Sequence, residues 1–366
     1  MNPSCLPAAT LQIDLGAIRD NWRLLGRQAS PGVHCAAVVK ADAYGLGAAE
    51  VGRALFAEGC RSFFVALVDE ALALRTVMPI QARLFVLHGA LPGAEIECAN
   101  ANVIPVLNSH DQITRWRTLA SRLGRRLPAA LQVDTGMARL GLALSDALSM
   151  DASALEGIDL QLLISHLVSA EDRSDPLNAA QRERFGTLLQ RWPGIPASLA
   201  NSSGVFLGAD YHFKLLRPGA ALYGVAPTLG ERNPMRPVLR LQGRLIQSHW
   251  IAAGEGVGYN HAWRAERATR VATVSVGYAD GFMRSLSNRG SLHFNGTAVP
   301  LIGRVSMDTV TVDATALPAD ALAPGAAFDL IDEVHDINAL AAEASTNAYE
   351  ILTSLGPRYR RHYINP

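Results

Sequence analysis

From about residue 11 to about residue 224, short apolar runs alternate with longer stretches of helical character. The runs cover residues 34–39, 62–68, 83–88, 103–108, 129–134, 160–166, 197–201 and 212–217. Between them, stretches such as 47–59, 70–78 and 109–123 carry the Ala, Leu, Arg and Glu content of amphipathic helices. Asn108-Ser109 and the acidic stretch 172–175 read as helix starts, because Asn, Ser and Asp side chains satisfy the free N–H groups of a first turn. Eight strand–helix units in about 215 residues is the arithmetic of a (β/α)8 TIM-like barrel. A doubly wound open sheet is the competing arrangement, and the lack of a G-x-G-x-x-G after the first strand counts against it.

After Arg236-Pro237 the pattern changes to a period of two. Val310 and Val312 alternate with Thr309, Thr311 and Asp313, and Asn295-Gly296 and Ala253-Gly254 supply turns. This predicts a mostly antiparallel β domain. A helical stretch over 336–355 follows and is stopped by Gly356-Pro357. The expected organisation is a barrel over residues 1–236 and a β domain over 237–366, with the stretch before about residue 14 available to pair with the β domain.

Polar residues fall at or just past the C-terminal ends of the runs: Lys40, His88, Asn108, Asp134, His166, Asn201-Ser202 and Arg217. Barrel active sites are built on that face. Composition sharpens the reading of one of them. Of the 33 Lys and Arg residues only two are lysines, Lys40 and Lys214. Arginine keeps its proton in a protein, whereas a desolvated lysine can lose it, and only the free amine forms a Schiff base. Strand alternation puts Lys214 on the face opposite Arg217, toward the helices, which leaves Lys40 as the candidate for a covalent cofactor link. Arg217-Pro218-Gly219-Ala220 presents backbone N–H groups suited to a phosphate, and Ala200-Asn201-Ser202-Ser203-Gly204 adds hydroxyls at the neighbouring strand end. A Schiff-base lysine with a phosphate cradle points to pyridoxal 5'-phosphate.

The formal net charge is zero and no run of five like charges occurs, so nothing in the composition favours nucleic acid or an anionic membrane. No stretch approaches the ~18 apolar residues of a membrane span. The four cysteines, Cys5, Cys35, Cys60 and Cys98, form no C-x-x-C pair and read as reduced residues; no metal site is expected. The start of the chain carries no signal-peptide pattern, and a cytoplasmic enzyme is expected.

Several stretches together resemble the alanine racemases, pyridoxal-phosphate enzymes of fold type III. They are Val39-Lys40-Ala41-Asp42-Ala43-Tyr44-Gly45, Asp134-Thr135-Gly136-Met137-Ala138-Arg139-Leu140-Gly141, residues 217–224, Val257-Gly258-Tyr259, Gly277-Tyr278-Ala279-Asp280-Gly281 and Gly303-Arg304-Val305-Ser306-Met307-Asp308. The resemblance implies two-base racemisation of L- and D-alanine, supplying D-alanine for peptidoglycan. It implies a head-to-tail homodimer with shared active sites. Lys40 would hold the cofactor and act on one face of Cα, and Tyr259 of the partner's β domain would act on the other. Arg217 would face the pyridine nitrogen. Tyr44, Ser202, Gly219 and Ala220 would hold the phosphate. Arg139 and the backbone of Met307 would hold the substrate carboxylate, with Asp308 in support. Glu171, Tyr278, Arg284 and Arg304 would line the entrance. A phenol titrates near pH about 10, and each unit of lowering needs about 1.4 kcal/mol, so cations must act on Tyr259; His166, bridging it to Arg217 in the family, is the candidate.

Three positions depart from the family pattern. Gln132 stands where many members carry a carbamylated lysine that braces the carboxylate-binding arginine, Pro357 where a tyrosine often meets the phosphate, and Ser306 where cysteine is common. Gln132 is expected to accept an N–H from Arg139, and glutamate there to tighten it. The alternatives on this scaffold are a broad-specificity or serine racemase, a decarboxylase and a non-catalytic cofactor-binding protein. A decarboxylase should carry a late catalytic cysteine, whereas the last cysteine is Cys98.

Overall fold

The computed structural model describes residues 6–365; Cys5 and the rest of the first five residues lie outside them. The chain divides into two compact units, one of Ile18–Arg236 and one of Met1–Ala17 with Pro237–Pro366.

In the first unit all eight apolar runs form strands, most of them shorter than the runs. Ala37–Val38, Ser62–Val65, Arg83–Val86, Val103–Leu107, Leu127–Asp134, Ile158–Ile164 and Ala197–Ser198 pair in that order, all parallel. The first run breaks at Ala36. Its opening piece, His34–Cys35, pairs with Leu215–Leu216, the eighth strand, while Ala37–Val38 pairs with the second. The eighth strand reaches the seventh through Lys214 N–H to the Ala197 carbonyl at 3.0 Å and Arg217 N–H to the Ala200 carbonyl at 2.9 Å. The ring is therefore closed, as a (β/α)8 barrel requires. Phe63, Phe64, Leu84 and Phe85 are fully buried in it, each stabilising by about 1.5–3 kcal/mol through burial. The helices begin where polar caps stand. Ser109 accepts from the Gln112 N–H ahead of His110–Leu123, and Asp175 accepts from the Leu177 N–H ahead of Pro176–Arg191.

The second unit is built on one long strand, Leu239–Ile251, which pairs antiparallel with Ala9–Asp14, Ala327–Ile331 and Thr269–Val274. The only parallel pair described in this unit joins Ala9–Asp14 to Arg360–Ile364. Asn295-Gly296 turns the hairpin between Ser291–Phe294 and Thr297–Pro300, both residues with positive φ. The expected single helix over 336–355 is two, Ile337–Ala344 and Ala348–Ser354. Ser345 turns left-handed at φ 57°, and Asn347 accepts from the Glu350 N–H to start the second helix. A polar capping residue inside the periodic stretch overrode the helical pattern.

Candidate active site

Lys40 opens a turn of unusual hand. Ala41, Asp42, Ala43 and Tyr44 all have φ of 51–57°, a left-handed helical turn built from non-glycine residues. Each such residue costs about 1–2 kcal/mol relative to the right-handed form, so neighbours must hold the turn in place. Glu70 accepts from the Ala41 N–H at 2.6 Å and from the Ala66 N–H at 2.7 Å, tying the turn to the loop after the second strand. On the other side, Asp42 accepts from the Ala48 N–H at 2.7 Å, at the start of Ala48–Glu58. The result is a fixed, half-buried Lys40. Burial, and then the charge of Arg139, lower its pKa, with Glu70 opposing, so the free amine is more accessible than in water.

Arg217 is buried, with one arm donating to the Ser165 carbonyl at 2.6 Å and another to the Ser198 hydroxyl. Desolvation pushes its guanidinium down to about 9, which still leaves it charged at neutral pH. His166 experiences that charge. Burial first, then Arg217, Arg139 and Lys40, depress its imidazole to about 3. The sequence pointed to His166 as the cation acting on Tyr259; a pKa held this low leaves the ring without charge at neutral pH, and the cations acting on it are Arg217, Arg139 and Lys40.

Ser202 accepts from the N–H groups of Gly219 at 3.0 Å and Ala221 at 3.1 Å, which locks the turn after the eighth strand. A side chain at Gly219 would have its Cβ 2.5 Å from the Tyr44 hydroxyl, so only glycine lets these groups meet. Tyr44, Ser202, Gly219 and Ala220 thus gather at one place, with Tyr44 packed against Tyr223 at 4.9 Å between ring centroids. Tyr223 in turn donates to the Val38 carbonyl at 2.9 Å.

Asp134, at the end of the fifth strand run, accepts from the N–H groups of Gly136, Met137 and Ala138 at 2.7–2.8 Å. It shapes the loop that carries Arg139, whose side chain is exposed. Buried Gln132 does not meet Arg139 as expected. Its amide donates to the Leu140 carbonyl at 3.0 Å, so it holds the backbone beside Arg139 and not the guanidinium.

The other expected residues belong to the second unit, except exposed Glu171 in the barrel. Tyr259 is 68% exposed, Met307 53% and Tyr278 44%; Arg284 is exposed and Arg304 half-buried. Two residues unassigned from the sequence organise this group. Arg358 grips both oxygens of buried Asp280, at 2.6 and 2.8 Å, and reaches Asp308 at 2.7 Å. Asp280 in turn accepts from the Gly277 N–H at 2.9 Å. The Tyr278 and Ala279 N–H groups donate to the Ser306 and Met307 carbonyls, both at 3.0 Å. A Cβ on Gly277 would come within 2.3 Å of the Met307 oxygen, so the two loops touch only because this residue is glycine. Asp280 stood inside a recognised motif and could have been found; Arg358, two residues past the helix stop, carried no local signal.

A closed barrel with a desolvated lysine on its first strand, a buried arginine on its eighth and a glycine turn fit for phosphate, joined in one chain to a mostly antiparallel β unit, defines a class of lysine-dependent barrel enzymes. Residues 13–227 match the alanine racemase N-terminal domain and residues 238–363 the alanine racemase C-terminal domain. The chain belongs to the alanine racemase family and is an amino-acid racemase, an isomerase. It is 50% identical to the alanine racemase of Rhodospirillum rubrum over 97% of this chain and 96% of that one. It is 49% identical to a catabolic alanine racemase of Agrobacterium fabrum over 97% and 92%. The crystal structure of alanine racemase from Bartonella henselae with covalently bound pyridoxal phosphate superposes with a TM-score of 0.93 at 41% identity, covering 98% of this chain and 99% of that one.

Proposed function

We propose that this chain interconverts L- and D-alanine with pyridoxal 5'-phosphate, by a two-base mechanism, and supplies D-alanine for peptidoglycan in the cytoplasm. The observation that carries the reading is the half-buried amine of Lys40, its pKa lowered, in a barrel mouth that also holds Arg217, His166 and the Gly219 turn. The residues fit the cofactor: the tight approach of Gly219 to Tyr44 leaves backbone N–H groups near a phenol, a setting for phosphate, and the cation of Arg217 suits a ring nitrogen left unprotonated. When bound, the cofactor supplies an electron sink for the carbon from which the α-proton leaves.

The chain's own groups do the rest. Arg139, exposed on its Asp134-shaped loop, and the Met307 backbone take the substrate carboxylate, and Arg358 fixes Asp308 in support. Lys40, freed by substrate, holds or gives up a proton at its Nζ on one face of Cα. Tyr259 of the partner subunit does the same at its hydroxyl on the other face, which makes the working unit a homodimer. Arg217 keeps its proton at neutral pH, since its pKa of about 9 lies above that range, and this limits side reactions that need a protonated ring. Glu171, Tyr278, Arg284 and Arg304 line the way in. No helix among the described residues is long and apolar enough to cross a membrane.

Lys40→Ala is expected to lose the yellow absorbance of a lysine-bound cofactor and racemisation in both directions. A borohydride-reducible link to the cofactor persisting in Lys40→Ala would overturn the assignment. A second reading, catabolic use of D-alanine, is favoured by relatives that are catabolic alanine racemases, including those of Agrobacterium fabrum and Mesorhizobium japonicum. Loss of the gene should create a D-alanine requirement under the first reading and a failure to grow on D-alanine under the second.

A further inference from the structure

Lys214, the second lysine, is left over by the racemase site. It is exposed at the start of the eighth strand, not turned in against the helices, and its ammonium has no partner among the described residues. It borders a cavity of about 940 Å³ at the N-terminal mouth of the barrel. This is the end of the strands away from Lys40 and Arg217: the cavity touches His34 and Leu215, while the same two runs finish at Lys40 and Arg217.

Apolar side chains form its wall, among them Val33, Phe85, Leu162, Ile195, Pro196 and Leu215, with Trp22 at the edge. Arg61, Arg83 and Lys214 supply the charge of its lining, and the Asp159 carboxylate next to it is engaged by the Gln161 amide at 2.6 Å. A surface that serves solubility alone intersperses both signs, and the whole chain has a net charge of zero, so the one-signed lining is local. Both arginines are pinned. Arg61 lies over the Phe56 ring and donates to the Phe56 and Cys60 carbonyls at 2.7 and 3.0 Å. Arg83 lies over the Phe85 ring and donates to Gln161 at 3.2 Å. Each keeps further guanidinium nitrogens unbonded among the described residues. Arg83 is exposed at the rim, and desolvation against the wall lowers its pKa, with Asp159 opposing. A concave space of this size with an apolar wall and a few fixed polar groups has the make-up of a small-molecule site.

We propose that this mouth binds a small organic anion, a flat apolar body bearing acidic groups of the phosphate or carboxylate type. The body lies against the wall of Val33, Ile195 and Pro196, and the acid groups reach Arg61, Arg83 and Lys214. Bidentate and charge-assisted bonds to pinned guanidinium groups favour such groups over a neutral ligand.

The test uses the cofactor-loaded enzyme saturated with alanine, so that the racemase site is filled. Anilinonaphthalene sulfonate serves as the fluorescent probe, with adenosine monophosphate and isophthalate as competitors for the phosphate and carboxylate sources. Saturable probe binding displaced by either competitor, but not by inorganic phosphate alone, is expected. Lys214→Glu and Arg83→Gln should each weaken binding about tenfold, the scale of one lost charge-assisted contact. Lys214→Arg should retain it, and racemisation by all three variants should match wild type. Trp22→Phe should remove the part of the tryptophan quenching that follows occupancy. No saturable binding, displacement by neither competitor, or unchanged affinity in folded, active Lys214→Glu would overturn the proposal.

Discussion

Burial, and then three cations, Arg217, Arg139 and Lys40, act on a single imidazole, and together they decide what His166 can do. Its pKa falls from 6.5 to about 3 in the folded chain. Between those values the unfolded chain takes up a proton that the folded one refuses, so stability must fall as the pH drops through that window. Denaturant melts at neutral pH and midway through the window should show the loss in wild type and a smaller one in His166→Gln. Equal losses would mean that the ring is not held neutral. Gln132 tests a different balance. Its amide donates to the Leu140 carbonyl, so glutamate there removes the donor and sets an anion against a carbonyl oxygen. The change should destabilise by about 1–3 kcal/mol, the cost of a buried acceptor pair left unmet, and raise the Michaelis constant through a looser Arg139 loop. This reverses the tightening expected from the sequence. A Gln132→Glu enzyme with unchanged melting temperature and a lower Michaelis constant would restore that first expectation.

The left-handed turn after Lys40 is the element on which the site most depends, and local sequence does not encode it. Ala41-Asp42-Ala43-Tyr44 has ordinary right-handed propensity, and its observed hand is imposed by Glu70 and Asp42 through bonds to the Ala41 and Ala48 N–H groups. Asp42→Ala should cost about 1 kcal/mol, as loss of a helix-start acceptor does, and should weaken cofactor retention because Lys40 sits at the head of the turn. Cofactor affinity and melting temperature measured together would check it; a variant matching wild type in both would show that the turn stands without Asp42. What was legible follows the same division. The eight barrel strands could be read because their burial makes them continuous apolar runs, and Lys40, Arg217 and Ser202 because barrel chemistry sits at strand ends. The break at Ala36, the hand of the turn and the Arg358 grip on Asp280 and Asp308 were hidden, since each is set by partners distant in sequence. The split of the 336–355 helix was hidden for a nearer reason: Asn347 looked like one more polar face residue until its side chain was seen capping.

For the whole molecule, the two proposed bases lie in different units of the chain, Lys40 in the barrel and Tyr259 in the β unit. In this chain alone Tyr259 is 68% exposed, and Tyr278 and Met307 of the same unit are exposed with it. A proton-transfer group needs a fixed place against the substrate, which a side chain exposed in this way lacks. Placed by a second copy against the Arg217–His166 pair, it would meet a cation held in a dry site, where charge acts most strongly. A two-fold dimer with self-complementary contacts would do this twice, each barrel receiving the other's tyrosine. Lys40→Ala and Tyr259→Phe chains, each inactive in at least one direction of proton transfer, should therefore complement when mixed. In a mixed dimer one site has both defects and the other has neither. Random pairing restores roughly a quarter of wild-type sites, and racemisation should recover toward that level at the rate of subunit exchange. If labelled subunits exchange fully and no activity returns, Lys40 and Tyr259 serve the same chain and the shared site is wrong.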